Sequence, residues 1–224
     1  MNQPALTLAP ELEGRLRLGL VAAGSVRVAP SSPGLLEEIA KLAERQKRAC
    51  EGLGPAQIPE LAPARELYKA FGVDPTKTRP SSESLLRRVL RDKPLPRISN
   101  AVDVCNQLAL DFLLPLGLYD TAKIRGPVRL RPGRPDESYA GIRKNEVHLD
   151  GRPVLADDTG PFGNPTSDSL RTSVDESTRS LWMVIFAPSS VPEPAMAAYV
   201  ETACSSMRRH LLEPGGTCTG LVRS

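Results

Sequence analysis

Leu181-Trp182-Met183-Val184-Ile185-Phe186-Ala187 is apolar at every position. The run is far shorter than the roughly 20 residues of a membrane span, shows no polar alternation, and reads as a buried central strand. A second β-prone run ends at Leu155. Between the two lies a polar segment, Asp157 to Thr178, carrying glycines, prolines, Asn164, several hydroxyl residues, Asp168 and Arg171. A polar segment held between buried strands reads as a loop lining a polar site. The competing reading is an ordinary surface loop, and composition alone does not separate the two.

The remaining elements follow from local pattern. Leu16 to Val28 holds two short β-prone runs around Ala22, Ala23 and Gly24, which predicts a hairpin or two edge strands. Ser31-Ser32-Pro33 supplies a helix cap and first turn, and Leu35, Ile39, Leu42 and Ala43 carry that helix to about Cys50. A second helix covers roughly Pro63 to Phe71 and stops at Gly72. A third starts near Ser82. Asn100 is placed to cap a fourth, whose buried stripe is Val102, Cys105, Leu108, Ala109 and Phe112. Gly117 to Asp120 reads as a turn. β signals then come at Val128–Arg131, Tyr139–Ile142, Val147–Leu149 and Val154–Ala156, with Asp150-Gly151 as a hairpin cue between the last two. A closing helix runs from about Glu193 to Leu212. Helices first, strands second and a final helix make an α+β layout with a mostly antiparallel sheet, expected as one domain over 1–224.

The same sequence excludes several chemistries. Its histidines, His148 and His210, lack metal-ligand spacing, and its four cysteines form no CxxC pair, so neither a metal site nor a disulfide framework is expected. No G-x-S-x-G, P-loop or G-x-G-x-x-G motif occurs, and no cofactor is expected. With neither a signal peptide nor a membrane span in view, the expected setting is cytoplasmic. The net charge of +3 and 4% aromatic content argue against a stacking platform for single strands but permit a local basic face. Arg87, Arg88, Arg91 and Lys93 form the densest basic cluster, read either as a solvated helix face or as a phosphate-contacting one. What remains for chemistry is Asn164, Ser167, Ser169, Thr172 and glycine-flanked amides, charged by Asp168 and Arg171. Such a set can orient a water and bind an oxyanion, or hold a small ligand without reaction.

Ordered motifs add a resemblance. Pro96-Arg97-Ile98-Ser99-Asn100-Ala101-Val102-Asp103-Val104-Cys105-Asn106, then Pro115-Leu116-Gly117-Leu118-Tyr119-Asp120, Lys123-Ile124-Arg125-Gly126, and Thr172-Ser173-Val174-Asp175-Glu176-Ser177-Thr178 together resemble the B3/B4 domain of the phenylalanyl-tRNA synthetase β subunit. The blocks span about half of the chain, and residues 1–72 lie outside them. The resemblance implies a B3/B4-like fold and, from a chain lacking the rest of a synthetase, deacylation of mischarged tRNA in trans. A non-catalytic tRNA- or RNA-binding module and a small-molecule-binding protein are the alternatives.

On this reading Asn164, Asp168, Ser169, Arg171 and Thr172 are the candidate catalytic residues. Asp103, Asn106, Tyr119, Asp157 and Gly163 are candidate substrate contacts, and Arg87, Arg88, Arg91 and Lys93 candidate tRNA contacts. Asp103 as a helix cap, Asn106 as a structural amide and Tyr119 as a turn residue are the plainer alternatives. The sequence departs from the family pattern twice: Gly117 stands where the synthetase motif has histidine, and Leu170 where it has an acidic residue. Those departures imply an amino acid other than tyrosine, smaller or less polar at its tip.

Overall fold

The computed structural model describes residues 5–142 and 146–224. In chain order the strands are β1 (Leu6–Leu8), β2 (Leu16–Val26), β3 (Leu116–Asp120), β4 (Val128–Pro132), β5 (Ser138–Tyr139), β6 (Val147–His148), β7 (Pro153–Asp157), β8 (Gly160–Asn164), β9 (Ser167–Asp168), β10 (Ser180–Pro188) and β11 (Leu212–Arg223). The helices are α1 (Pro33–Ala49), α2 (Ala62–Ala70), α3 (Ser81–Val89), α4 (Asn100–Phe112) and α5 (Glu193–His210). The class is α+β. There are two larger sheets where one was expected: an antiparallel sheet ordered β11-β2-β10-β3, and a second ordered β1-β4-β7-β8-β9 in which only β1–β4 is parallel.

β10 is central and covered on both faces, which is why its sequence carries no polar alternation. Leu181, Met183, Ile185 and Ala187 face a core shared with α4 and α5, while Trp182, Val184 and Phe186 face the core against the second sheet. A third core joins Leu42 of α1, Leu85 and Leu86 of α3, and Ala109 and Leu110 of α4. Ser32 caps α1 by accepting from the Leu35 amide at 3.2 Å, with Pro33 in the first turn.

Several local expectations are corrected. Leu16 to Val26 is one strand between β10 and β11, because its small residues serve packing: a Cβ at Gly19 would lie 2.7 Å from Val200 Cγ2. Ser99 caps α4, accepting from the Val102 amide, while the Asn100 side chain bonds the Ala29 amide and the Arg27 and His210 carbonyls. Gly117 to Asp120 belongs to β3, not to a turn, since β10 supplies ladder partners. Of Tyr139–Ile142 only Tyr139 lies in a strand, Gly141 bridging to Ser169. Asp150-Gly151 makes a turn with Gly151 at φ 66°, but β6 pairs with β5 and β7 with β4 and β8, so no hairpin forms there. The closing helix ends at His210, and β11 follows it along an edge of the first sheet.

α5 lies against glycines. A Cβ on Gly220 of β11 would stand 2.2 Å from Val200 Cγ1. Gly220→Ala is expected to destabilise the fold by about 1–3 kcal/mol through overpacking. Adding Val200→Ala should recover part of that loss in urea unfolding, and a double variant no more stable than Gly220→Ala would refute the packing account.

Candidate functional site

The segment from Asp157 to Thr178 is an antiparallel meander at its start and a loop only after Asp168. Asn164 explains the second turn: its Oδ1 accepts the Thr166 and Ser167 amides at 2.7 and 3.0 Å, an Asx turn that reverses the chain from β8 into β9. Its Nδ2 is buried and has no hydrogen-bond partner among the described residues. The meander places two aspartates in opposite environments.

Asp157 ends β7 with its side chain fully covered. It accepts from Arg171 Nη1 and Nη2 at 3.0 and 2.9 Å and from the amides of Arg125, Thr159 and Gly160. Burial works against its charge, but the Arg171 guanidinium and these amides prevail and hold its pKa below the usual range. Arg171 also reaches the Lys123 and Gly160 carbonyls and lies over the Phe162 ring. Its terminal nitrogens are therefore committed to tying the β7–β8 turn to the segment after β3. A cavity of about 560 Å³ opens beside Asp157, lined in part by Arg129, Arg134, Asp158 and Gly160.

Asp168 ends β9 against the free edge of β3. Its Oδ2 accepts the Leu118 amide at 3.1 Å. The Tyr119 hydroxyl lies beside it, close enough to favour the carboxylate, yet neither Tyr119 Oη nor Asp168 Oδ1 has a partner of good hydrogen-bond geometry among the described residues. Burial outweighs the Tyr119 and Leu118 donors and pushes the Asp168 pKa up to about 7. Glycines make room for this pair. A Cβ on Gly117 would lie 2.0 Å from Tyr119 Oη and 2.9 Å from Asp168 Oδ1, and one on Gly163 would lie 2.3 Å from the same hydroxyl. The Tyr119 ring is fully buried, edge-on to Phe162 at 5.1 Å.

The neighbouring residues complete the surroundings. Ser169 Oγ and Thr172 Oγ1 are buried and 3.2 Å apart, and the Thr172 carbonyl accepts the Asp120 amide. Asp120 in turn accepts from Thr178 Oγ1 and the Ala122 amide. The Asp168 charge reaches Cys105 on α4 and Tyr139 on β5, raising both pKa values further than burial does alone. The two segments bonded to each other next to Asp168 expose apolar side chains, Leu170 59% and Ile142 37% exposed, with the Ile142 amide donating to the Asp168 carbonyl.

The structure thus brings together Asp168, Tyr119 and Gly163, with Asp157–Arg171 and Ser169–Thr172 as separate pairs in the same meander and loop. Asp103 lies elsewhere, at the start of α4, accepting from Ser31 Oγ at 2.6 Å and the Ile98 amide at 2.9 Å. Asn106 is half-buried, one residue beyond Cys105. Arg87, Arg88, Arg91 and Lys93 belong to α3 and the turn after it. Arg87 bonds buried Glu83, Arg88 bonds the Pro94 carbonyl, and Arg91 and Lys93 are exposed. Sequence reasoning gave no role to the Leu118 amide, Cys105 or Tyr139. Only the motif alignment around Gly117 pointed to that strand edge. Among the described residues no cluster of His, Cys, Asp and Glu is placed to hold a metal, and no helix is long and apolar enough to cross a membrane.

Comparison with known proteins gives a consistent set of matches. The sequence profile of the B3/4 domain matches residues 63–221. Phenylalanine–tRNA ligase β subunits are similar: that of Chromobacterium violaceum is 30% identical over 139 residues, 58% of this chain. That of Thermobifida fusca is 30% identical over 136 residues, 57% of the chain. The Paramagnetospirillum magneticum subunit is 40% identical over 65 residues, 29% of the chain. The aligned parts make up 18%, 16% and 8% of those subunits, so the chain spans less than a fifth of their length. Among solved structures, an N-terminal fragment of the Pyrococcus horikoshii phenylalanyl-tRNA synthetase β subunit matches all of the chain and 55% of that fragment, with a TM-score of 0.46 and 13% identity.

The raised Asp168 pKa carries a sign. Between about pH 4, where an unfolded aspartate titrates, and about 7, the folded chain holds a proton that the unfolded chain has lost. Asp168 therefore contributes stability below about pH 4 that is lost as pH rises towards 7. Asp157 runs the other way, its contribution being lost on acidification. The stability difference between wild type and Asp168→Asn should accordingly shift against wild type as pH rises across that window. A difference independent of pH in urea titrations would refute the assignment.

Proposed function

Because the chain belongs to the B3/4 domain family, we propose that it is an aminoacyl-tRNA deacylase, hydrolysing the ester of mischarged tRNA in trans. The observation that carries this reading is the Asp168–Tyr119 pair: two buried oxygens, Oδ1 of half-buried Asp168 and the Tyr119 hydroxyl, without partners among the described residues, between two glycines in a matched segment. A carboxyl with a pKa near 7 is suited to general-base work at neutral pH. In the proposed reaction Asp168 takes a proton from a water, the water attacks the ester carbonyl, and the Asn164 Nδ2 amide and the Ser169 and Thr172 hydroxyls stabilise the oxyanion. The proton passes to the departing ribose oxygen. Asp157 and Arg171 act as a positioning pair for the meander, while Gly163 and Tyr119 shape the site. Asn106 is proposed to border it from α4, and Asp103 to act only indirectly, by holding the start of that helix through Ser31 and the Ile98 amide. Arg87, Arg88, Arg91 and Lys93 are the proposed tRNA contacts, and all of residues 1–224 are proposed to act as one domain.

Glycine at 117 and the exposed Leu170 and Ile142 support an amino-acid side chain lacking a polar tip. A second reading, a non-catalytic RNA-binding module, is favoured by the burial of Asn164, Ser169 and Thr172. On the deacylase reading, substrate enters by parting the backbone contact between Leu170 and Ala140.

Purified protein assayed against a panel of mischarged tRNAs separates the two. Ester release is expected from at least one apolar amino acid, and preferential release of tyrosine would refute the selectivity. Asp168→Asn should lower kcat/KM by about 10²–10⁴-fold and abolish a pH limb near 7. Release from no tRNA, at unimpaired tRNA affinity, establishes the binding-module reading instead.

A further inference from the structure

Glu83 sits in the first turn of α3 with its side chain only 2% exposed, surrounded by three arginines. Arg65 of α2 grips it with two hydrogen bonds, Nε to Oε2 at 2.8 Å and Nη2 to Oε1 at 3.0 Å. Arg87 adds Nε to Oε1 at 2.8 Å, and Arg79 Nε stands 3.8 Å from the same oxygen. Three guanidiniums against one carboxylate leave two positive charges in excess, and none of the three pairs with another carboxylate among the described residues. Burial alone would raise the Glu83 pKa, but Arg65 and Arg87 reverse that and keep it ionised. A structural ion pair needs one guanidinium, so the surplus calls for a different explanation.

Spacing extends the feature. Contacts with Glu83 place Arg79, just before α3, and Arg87, within it, on the same side of the helix, and Arg91 follows Arg87 by four residues in the turn after it. Arg79 is 41% exposed at its side chain and Arg91 is exposed, while Arg87 is held between them. Pro80, at the N-cap, offers no side-chain acceptor to the first-turn amides, which leaves further donors at that end. The unused nitrogens of Arg79, Arg87 and Arg91 thus form a row of planar donors, of which the Glu83 carboxylate holds Arg87 in place. Planar forks of this kind match phosphate oxygens.

We infer that Arg79, Arg87 and Arg91, braced by Arg65 through Glu83, form a phosphate-binding stripe that takes the backbone of an RNA. The inference rests on the tRNA reading above for the identity of the polymer, but the phosphate site stands or falls on its own. Glu83 is a scaffold whose negative charge orders Arg65 and Arg87, Arg65 serves as the brace behind it, and Arg79 joins the contact surface that the basic cluster alone did not include.

Arg79→Ala and Arg91→Ala are the informative variants, since Arg65 and Arg87 continue to satisfy buried Glu83 in both. Binding of uncharged tRNA is measured by fluorescence anisotropy across a salt series, and inorganic phosphate binding by the rise in melting temperature. Each substitution is expected to weaken tRNA binding and to reduce the slope of log K against log salt by about 1. Phosphate should raise the wild-type melting temperature more than that of Arg79→Ala. If tRNA binds wild type and both variants with equal slopes, the stripe is overturned and the tRNA reading survives. If wild type binds no tRNA while phosphate stabilises it in an Arg79-dependent way, the site stands as one for free phosphate and the tRNA reading fails. A salt slope that falls without any response to inorganic phosphate supports the stripe as a reader of polymeric backbone.

Discussion

The antiparallel pairing of β2 with β10, in register from Leu16↔Pro188 to Gly24↔Ser180, is the interaction on which the rest depends. It sets both faces of the first sheet at once. Odd positions of β10 meet the helices and even positions meet the second sheet. A slip of one residue would exchange the two sets and bury nothing correctly. α5 can lie close to this sheet only because Gly19 and Gly220 keep the surface low under Val200. The profile match begins at residue 63, yet β2 lies outside it and stands in the middle of the sheet.

The same register aims the site. Tyr119 of β3 is opposite Trp182 of β10, which fixes its ring in the core between the sheets and carries its hydroxyl past Gly117 and Gly163 to Asp168. Side-chain chemistry alone does not distinguish Asp157 from Asp168, eleven residues apart. Environment does. Three amides and a guanidinium keep Asp157 charged, while Asp168 receives one amide, an ill-aimed hydroxyl and a buried Oδ1. One meander therefore contains a carboxylate suited to hold structure and a carboxyl suited to move a proton.

Legibility in the sequence followed the range of the forces involved. Helices α1, α2, α3 and α5 were readable from periodicity and caps, because those signals lie within a few residues of one another. The β10 run and the burial of Trp182 were equally readable. β2 reads as a hairpin or two edge strands because Ala22, Ala23 and Gly24 look like turn residues, whereas ladder partners on β10 and β11 carry one strand straight through them. Asp150-Gly151 did form a turn, but which strands it joined depended on partners far away in sequence. The polar segment was found, and its clustering of Asp168 and Gly163 with Tyr119 was not derivable, since that contact spans some fifty residues.

By itself the sequence determined the α+β class, the central strand, the presence and approximate extent of the helices and, through its ordered motifs, the resemblance to the B3/B4 family. These rest on local propensity, periodicity and the chemical identity of residues, all of which are present in the chain before it folds. Tertiary structure alone decided that Arg171 is committed to Asp157, that Arg87 is anchored on Glu83, and that Asp168 sits half-buried with its Oδ1 covered beside Tyr119. The reason is physical: pKa, burial and ion pairing depend on how much water is removed and which charges remain near, and those quantities exist only once distant segments have packed together.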